Sequence, residues 1–409
     1  MKKILVIGYV WPEPNSSAAG SHMMSILRLF VKQGWQVEFS TPSQPTDHMI
    51  DLESEGISSK NIQLNCDSFD SYISEYQPDL VLFDRFMMEE QFGWRVEKNC
   101  PNALKVLDTE DLQCLRNARH QAHKGERQLN QTDLFSDMAK REIAAILRCD
   151  ISLIISSYEM LLLTQTFKVD ASLLHYLPFM VNIENYPKAE KSFAQRQHFM
   201  TIGNFRHAPN WDAVLYLQKI WPLIRAKLPD AELHIYGSYP PPKATALDNP
   251  KTGFHIKGWA ENAYTVMEQA RVCLAPIRFG AGIKGKLLDA MIMKTPSVTT
   301  SVGSEGMIAD EKWPGAIHDD IDDFVNAAIN LYSDEEQWLL AQQNSADIIC
   351  NRYNSALLGE SLINKINHIS GDLAQHRLNN FTGAMLKHHS MASTKYMSQW
   401  IAEKNSKLS

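Results

Sequence analysis

Short apolar runs alternate with amphipathic helical segments along this chain of 409 residues, and the alternation starts twice. Residues 3–8 predict a strand, residues 20–33 predict a helix with one apolar face, and Gly34 predicts the end of that helix. Alternation of this kind favours a parallel sheet with helices packed on both faces. Ligands bind to such sheets beyond the carboxyl ends of the strands. The chain is therefore predicted to be an α/β protein with doubly wound parallel sheets.

The two halves share this pattern and meet near residue 183. In the first half, further strands are predicted at residues 36–40, 80–83, 104–107, 151–155 and 173–177. Residues 178–182 and the charged run 188–191 form the expected linker. In the second half, strands are predicted at residues 199–203, 232–237, 254–257, 272–275 and 297–300, and helices at 210–228, 260–269, 286–293 and 334–366. Ser333 and Glu336 are expected to form a capping box at the start of the last helix.

The composition argues against several classes of protein. The formal net charge is −7 with acidic and basic residues interspersed, which argues against nucleic acid as the main partner. No apolar run reaches the roughly 18–20 residues of a membrane span. The apolar run at the N-terminus stops at Gly8 without a cleavage site, so we expect a first strand rather than a signal peptide. Six scattered cysteines without a C-x-x-C pair indicate reduced thiols in a cytoplasmic protein, rather than disulfides or a zinc site.

One loop late in the chain carries the strongest chemical signal. Glycines at positions 280, 282 and 285 and lysines at 284 and 286 follow an apolar strand and open a helix. Glycines let backbone amides approach a ligand closely, and a helix N-terminus offers unpaired N–H groups and a positive dipole end. With two lysines added, the loop suits a phosphate or diphosphate, although an ordinary solvated loop can have the same composition. A P-loop is rejected because Leu287 stands where that motif needs Ser or Thr, and because the loop comes late in its domain.

Several segments resemble the GT-B-fold glycosyltransferases, specifically the retaining nucleotide-sugar enzymes of family 4, the group 1 glycosyl transferases. The resemblance covers residues 1–366 and is carried in order by residues 202–210, 233–237, 256–259, 275–291 and 296–306. It implies two Rossmann-like domains that face each other across a cleft. Residues 1–183 would bind the acceptor, and residues 196–351 would bind the nucleotide-sugar donor. A helix at about 352–368 would cross back to the first domain, and residues 370–409 would form a helical extension outside the resemblance.

The resemblance also implies a set of donor-binding residues. Asp289 stands where the family has the second of two glutamates eight positions apart, which binds the ribose hydroxyls; the first would fall at Ala281 and is absent. Arg206 would share the neutralisation of the diphosphate, Trp259 would lie near the nucleobase, and Glu305 would face the cleft. The alternatives are a surface arginine, a buried packing tryptophan and a glutamate that caps a turn. The complete predicted donor set is Gly203, Arg206, Trp259, Gly282, Ile283, Lys284, Lys286, Leu287, Asp289 and Glu305.

The first domain is expected to supply the acceptor site. Three carboxylates follow the strand at 104–107, and two of them, Glu110 and Asp111, are predicted to be catalytic together with Lys286. Glu110 or Asp111 stands where relatives commonly have a histidine. The alternative is that these acids cap the helix that follows. The predicted acceptor-binding residues are Ser17, Gly20, His22 and Arg116, with a structural role for His22 as the alternative.

The predicted function is transfer of a sugar from a nucleoside diphosphate sugar to a hydroxyl acceptor, with retention at the anomeric carbon. The acceptor would be a glycan, a lipid-linked molecule or a polysaccharide precursor. No cofactor and no obligatory metal are expected, because lysines and a helix dipole would take the place of magnesium. The missing carboxylate at Ala281 leaves a second interpretation open, a catalytically silent module that binds nucleotide sugar or glycan. An NAD-dependent oxidoreductase is disfavoured because no G-x-G-x-x-G follows either first strand.

The C-terminal extension carries an apolar helical pattern at Tyr396, Met397, Trp400 and Ile401. Lys395, Glu403, Lys404 and Lys407 surround it. One interpretation is a helix that packs on the body of the protein or on a second copy. The other is an interfacial helix that brings a cytoplasmic enzyme to the inner face of the membrane and a lipid-linked acceptor.

Overall fold

The computed structural model describes residues 1–183 and 191–406, and within them it contains two parallel β-sheets. The strands of the first sheet are β1 (Lys3–Ile7), β2 (Gln36–Thr41), β3 (Ser58–Asn61), β4 (Leu80–Asp84), β5 (Leu104–Asp108), β6 (Ile151–Ile154) and β7 (Leu174–Tyr176). Those of the second are β8 (Gln197–Ile202), β9 (Leu233–Tyr236), β10 (Phe254–Gly258), β11 (Ala270–Ala275), β12 (Ser297–Thr299) and β13 (Gly315–Ile317). Their spatial orders are 3-2-1-4-5-6-7 and 10-9-8-11-12-13. The predicted GT-B architecture of two doubly wound domains is confirmed.

Helices connect the strands in both sheets. Those of the first half are α1 (Ala18–Lys32), α2 (Ser68–Tyr76), α3 (Phe86–Asn99), α4 (Gln113–Lys124), α5 (Gln131–Leu134), α6 (Asp137–Arg148) and α7 (Ser157–Leu161). Those of the second half are α8 (Ala208–Lys227), α9 (Pro242–Thr245), α10 (Ala263–Gln269), α11 (Gly285–Ile292), α12 (Ser301–Ser304), α13 (Ile321–Ser333) and α14 (Glu335–Arg352). Three more follow, namely α15 (Ser355–Gly371), α16 (Leu373–Leu378) and α17 (Phe381–Ser406). Part of the predicted linker, residues 184–190, lies outside the described residues.

Two details of the predicted helices are wrong. Ser333 ends α13, and the N-cap of α14 is Asp334, whose carboxylate accepts the amides of Glu336 and Gln337. The single helix predicted at 334–366 is also interrupted, because residues 353–355 pair with the linker. The amide of Val181 donates to the Tyr353 carbonyl at 2.6 Å, and the Ser355 amide donates to the Val181 carbonyl at 2.9 Å.

Helix α15 packs on the first sheet although it follows the second one in the chain. Its buried residues Leu362, Ile366 and Ile369 share one apolar core with Ile4 and Val6 of β1. The chain therefore passes between the domains twice, once near Val181 and once near Tyr353. These two passages lie side by side, joined by the backbone hydrogen bonds between Val181 and residues 353–355.

The C-terminal extension also packs on the first domain. Helix α17 lies against α3 and α6, and the hydroxyl of Ser398 on α17 accepts a hydrogen bond from Arg95 on α3 at 3.3 Å. Before it, Arg377 forms an ion pair with the buried Asp150 at 2.7 Å. The exposed side chains of α17 include three residues of the predicted apolar pattern, namely Tyr396, Met397 and Trp400. The helix thus docks through a different face, and Lys407 lies outside the described residues.

No helix among residues 1–183 and 191–406 combines the length and the apolar character that crossing a lipid bilayer requires.

Gly383 is predicted to be essential to the docking of α17. A Cβ atom at this position would overlap the carbonyl oxygen of Leu147 at the end of α6, so Gly383→Ala forces the helices apart. We expect a loss of about 1–3 kcal/mol in the free energy of unfolding, the usual cost of overpacking. The matched control is Gly371→Ala at the end of α15, where a Cβ meets no atom within 4 Å. Equal unfolding transitions for the two variants would contradict the assignment.

Candidate active site

The glycine-rich turn between β11 and α11 inserts into the cleft between the two domains. Gly282 has φ of +63°, and a Cβ there would lie 2.8 Å from the Cβ of Asp111. A Cβ on Gly285 would lie 2.5 Å from the Cβ of Ala18, at the N-terminus of α1. The turn therefore contacts the first domain through its backbone. At these two positions any residue other than glycine would require neighbouring atoms to move.

The N-terminus of α11 offers hydrogen-bond donors to this cleft. Lys284 is its N-cap residue, and no side chain caps the first amides of the helix. Lys286, in the first turn, is half-buried, and no described residue forms a hydrogen bond or ion pair with its ammonium group. Burial lowers the pKa of Lys286 to about 8. An anion beside this group would favour its charged form.

Lys284 lies deeper than Lys286. Its side chain is buried, and its Nζ donates to the Gly282 carbonyl at 2.8 Å. Burial lowers the pKa of Lys284 to about 8, while the nearby Glu305 carboxylate opposes that shift. The two lysines thus differ in availability, with Lys284 bonded to its own turn.

The remaining predicted residues in and next to α11 are two apolar side chains and one carboxylate. Ile283 and Leu287 are buried in the apolar core of the second domain, so only their backbone can face a ligand. Asp289 is half-buried one turn along the helix, and no described residue donates a hydrogen bond to it. Burial raises the pKa of Asp289 to about 7. Its oxygens are therefore available to accept bonds from hydroxyl groups.

A second group of predicted donor residues lies near the carboxyl ends of β8, β9 and β10. Trp259 is 42% exposed and stacks on His48 of the first domain at 4.7 Å, so the alternative of a buried packing residue is excluded. Arg206 is exposed, with its guanidinium 3.6 Å from the ring centre of Tyr239. A Cβ on Gly203 would lie 2.7 Å from the Asn210 side chain, which explains the glycine by local packing.

Two ionisable side chains of the first domain, Arg119 and Glu159, connect it to the turn. Arg119 on α4 binds both carboxylate oxygens of Glu305 at 2.8 Å and the Gly280 carbonyl at 2.8 Å. The Glu159 carboxyl group on α7 accepts the Gly282 amide at 2.8 Å and the Leu112 amide at 3.1 Å. Glu305 therefore spans the domain interface rather than capping a turn.

A group of buried carboxylates lies where β4 and β5 end. Asp84, Asp108 and Glu110 are each at most 7% exposed, and each offers an oxygen within 4.8 Å of the others, so the three could hold a cation. Burial and the Asp84 carboxylate raise the pKa of Asp108 to about 7, and burial and Asp108 raise the pKa of Glu110 well above its usual range. Arg85, whose Nε is 3.8 Å from Asp84, supplies a compensating charge. Glu110 and Arg85 both have left-handed backbones, with φ of +55° and +70°, a conformation that is found at functional sites.

Asp111 and Arg116 form a pair at the side of this group. One guanidinium nitrogen of Arg116 donates to both oxygens of Asp111, at 2.7 and 2.5 Å. His207 of the second domain faces the same pair at the mouth of the cleft. The side chain of His207 is exposed to solvent, and the crowding of the cleft and the cations Arg116, Lys286 and Arg85 lower its pKa.

The predicted acceptor residues of the first loop have local contacts of their own. Ser17 is the N-cap of α1 and accepts the Gly20 amide at 3.0 Å. A Cβ on Gly20 would meet the backbone of Glu13 at 2.5 Å. His22 is fully buried 3.8 Å from Asp108, and burial lowers its pKa to about 4. These contacts explain the three residues without an acceptor, and acceptor binding by them stays a prediction.

Four residues of the site were not found from the sequence. They are Asp84 and Arg85 at the end of β4, Glu159 on α7 and His207 before α8. A usable signal existed for the first two, because they end an apolar strand next to the one that ends in Asp108. Glu159 and His207 reach the cleft through the docking of the two domains, which no local pattern encodes.

Glu159 predicts a pH dependence of stability. Burial raises its pKa from 4.5 to about 8 in the folded protein. The contribution of Glu159 to the free energy of unfolding is complete below pH 4.5 and is lost as the pH rises through 8, because ionisation leaves a charge in the domain interface. The wild type should therefore lose stability between pH 5 and 9 relative to Glu159→Gln, measured by urea unfolding. Glu261→Gln, at an exposed position, should follow the wild type. Parallel pH profiles for wild type and Glu159→Gln would refute the prediction.

Comparisons with known proteins agree with this architecture. Residues 196–334 match the family model of glycosyl transferases group 1. The chain is similar in fold to a sucrose-phosphate synthase from Thermosynechococcus elongatus, with a TM-score of 0.68 at 16% identity over 90% of this chain and 99% of that one. No curated protein sequence matches the chain.

Two further solved structures are similar and contain ligands. TarM from S. aureus, in complex with fondaparinux, alpha-GlcNAc-glycerol and UDP, has a TM-score of 0.70 at 12% identity over 90% of this chain and 100% of that one. HepE from Anabaena, in complex with UDP and glucose, has a TM-score of 0.65 at 13% identity over 90% and 100%. The resemblance drawn from the sequence is thereby confirmed: the chain has the GT-B fold, and its second domain matches the glycosyl transferases of group 1.

Proposed function

We propose that the protein is a glycosyltransferase that moves a sugar from a nucleoside diphosphate sugar to a hydroxyl group, with retention at the anomeric carbon. The observation that carries the proposal is the uncapped N-terminus of α11, with Lys286 beside it, at a glycine turn inside the interdomain cleft. The match of residues 196–334 to group 1 glycosyl transferases supports the same chemistry. So do the complexes of similar structures with UDP and with UDP-glucose.

In this proposal the donor diphosphate lies at the N-terminus of α11. Negative charge grows on the diphosphate as the bond to the sugar breaks, and fixed donors aimed at that charge lower the barrier. Lys286 and the first amides of α11 supply them directly. Lys284 adds charge from behind the turn, where its bond to Gly282 fixes the turn. Arg206 would assist from the rim, and we propose that no metal is obligatory.

The nucleoside would extend along the second domain. Asp289 is proposed to accept the ribose hydroxyls, because it is half-buried one turn beyond Lys286 and no described residue bonds to its carboxylate. Trp259 offers an exposed ring at the end of β10 for the base. The stack of Trp259 on His48 would have to open or to form one side of that pocket.

The carboxylates at the end of β5 are proposed to bind hydroxyl groups. Ala281, where relatives have a glutamate, packs against the apolar core of the first domain, so another residue must do its work. Glu110 and Asp111 are proposed for that role and for help in removing the acceptor proton. Arg116 would orient Asp111 through their ion pair. A glycan or lipid-linked hydroxyl would enter from the first-domain side.

Replacing the two lysines tests the donor site. Lys284→Ala with Lys286→Ala removes charge-assisted hydrogen bonds that contribute about 1.5–3 kcal/mol each. We expect donor affinity or turnover to fall by at least about tenfold, measured with a panel of nucleoside diphosphate sugars. NMR of the product then gives its anomeric configuration, which tests retention. The control is Lys251→Ala at an exposed site. Unchanged donor affinity and turnover in the folded double variant would defeat the proposal. Donor binding without any transfer would instead favour the silent module suggested by Ala281.

We further propose that α17 contacts an anionic membrane that presents a lipid-linked acceptor. Phe381, Met385, Tyr396 and Trp400 are 46–71% exposed, and their spacings of four, eleven and four residues place them on one helical face. The ammonium groups of Lys395 and Lys404 lie 5.8 and 5.4 Å from the rings of Tyr396 and Trp400. Aromatic side chains flanked by lysines suit the interface of a negatively charged bilayer.

Vesicle flotation tests this contact. The wild type should float with phosphatidylglycerol vesicles, and Tyr396→Ser with Trp400→Ser should reduce the bound fraction severalfold. Leu357→Ser is the matched control, because Leu357 is 60% exposed on α15. Equal flotation of the wild type and the double variant would remove the membrane proposal. A dimer that the double variant abolishes, without flotation of the wild type, would assign the face to a second copy.

A further inference from the structure

Three histidines and a glutamate form a cluster on the second sheet, away from the cleft. His198 lies on β8, His234 on β9 and His255 on β10, and Glu232 directly precedes β9. The parallel register pairs His234 with His255 and with Met200, so the three imidazoles share one face of the sheet. They lie near the amino ends of the strands, opposite the carboxyl ends that form the candidate active site.

The cluster converges on one carboxylate oxygen. Oε2 of Glu232 lies 2.7 Å from Nε2 of His234, 3.6 Å from Nε2 of His255 and 3.9 Å from Nε2 of His198. Ligand atoms around a tetrahedral zinc ion are separated by about 3.3 Å, as follows from zinc–ligand bonds of roughly 2.0–2.1 Å. The three distances to Glu232 bracket that separation, and His198, Glu232 and His234 offer ligand atoms within 4.8 Å of one another. The ring of His255 would have to rotate toward His234 to complete a ligand set with Glu232.

The hydrogen bonds of the cluster distinguish ligands from supporting residues. Nε2 of His255 is buried, and no described residue forms a hydrogen bond with it, which is costly for a polar atom. Nδ1 of His198, in contrast, accepts the Glu232 amide at 3.2 Å. The proton of a neutral His198 ring is therefore on Nε2, which faces Glu232 as a donor and not as a ligand.

The backbone of His198 is consistent with such a supporting role. Its φ is +63°, a strained conformation for a residue within a strand, and its amide donates to the Tyr332 hydroxyl at 3.2 Å. Strain of this kind persists where the surrounding structure fixes a functional geometry. The side chains are 15–38% exposed, which leaves an entry path from solvent.

We propose that Glu232, His234 and His255 bind a divalent transition-metal ion of the zinc class, and that His198 positions Glu232. Two imidazoles and one carboxylate are a ligand set that zinc accepts in proteins, with the fourth position left to water. On binding, the proton on Nε2 of the neutral His234 ring moves to Nδ1, which frees the Nε2 lone pair for the ion and leaves the ring neutral. The ion would join the ends of β9 and β10, two strands that are neighbours at the edge of the sheet.

The charges around the cluster set the expected strength of binding. The side chains of Lys257 and Arg271 place positive charge near the cluster. The guanidinium of Arg271 is held by the carbonyls of Arg196 and Tyr332 and does not enter the cluster. These cations disfavour a divalent ion, so we expect moderate rather than very tight affinity. The proposal does not depend on the proposed function, because metal binding can be measured without donor or acceptor.

The test uses full-length, tag-free protein treated with chelator and titrated with zinc chloride by calorimetry, and with cobalt chloride by visible absorption. The wild type should bind one ion per chain, give the absorption of a four-coordinate cobalt site, and unfold at higher temperature with zinc. His234→Ala with His255→Ala should lose these responses. His198→Ala should retain binding with affinity reduced about 10–100-fold, as for residues that support metal ligands.

Two further variants keep the outcome interpretable. Glu232→Gln preserves the size of the side chain and should weaken zinc binding without altering the fold, as judged by circular dichroism. His368→Ala, at an exposed position on α15, should bind as the wild type does. Absence of zinc binding by the wild type would overturn the proposal. Equal zinc affinity of the wild type and the folded His234 and His255 double variant would also overturn it.

Discussion

The structure depends on the close contact between the backbone of the glycine turn and the first domain. The turn reaches Asp111 and Ala18 because Gly282 and Gly285 have no side chains. Glu159 then accepts the Gly282 amide, and Arg119 binds the Gly280 carbonyl. The N-terminus of α11 is thereby placed against the ends of strands from the other domain. A side chain at either glycine would separate the two halves of the candidate site.

Charge is distributed across the cleft in a way that suits an anionic ligand. On the second-domain side, burial lowers the pKa of Lys284 and Lys286 to about 8. On the first-domain side, burial raises the pKa of Asp108 to about 7. In each of these groups, burial disfavours the charged form that would dominate in water at neutral pH. A diphosphate at the N-terminus of α11 would favour the charged form of both lysines. A hydroxyl group on the opposite side of the cleft would meet the oxygens of carboxyl groups, either protonated or ionised.

Much of the fold could be predicted from the sequence, because strands buried on both faces of a parallel sheet consist of consecutive apolar residues. Strands β3 and β13 were missed for a physical reason: Ser58–Asn61 is polar and exposed at a sheet edge, and Gly315–Ile317 is three residues long. The interruption between α14 and α15 also has no local signal, since it is produced by pairing with Val181 far away in the chain. The glycine turn before α11 could be predicted because its glycines and lysines lie close together in the sequence. Glu159, His207 and the histidine cluster could not be predicted, because separate elements bring these residues to their neighbours.

The central claim is that the N-terminus of α11 holds the diphosphate of a nucleotide sugar in the cleft. The most direct measurement is a crystal structure of the protein with a nucleoside diphosphate, such as UDP, bound at saturating concentration. The account predicts density for the two phosphates within hydrogen-bonding distance of Lys286 and of the first amides of α11. Nucleotide bound elsewhere, with this turn left free of phosphate, would contradict it.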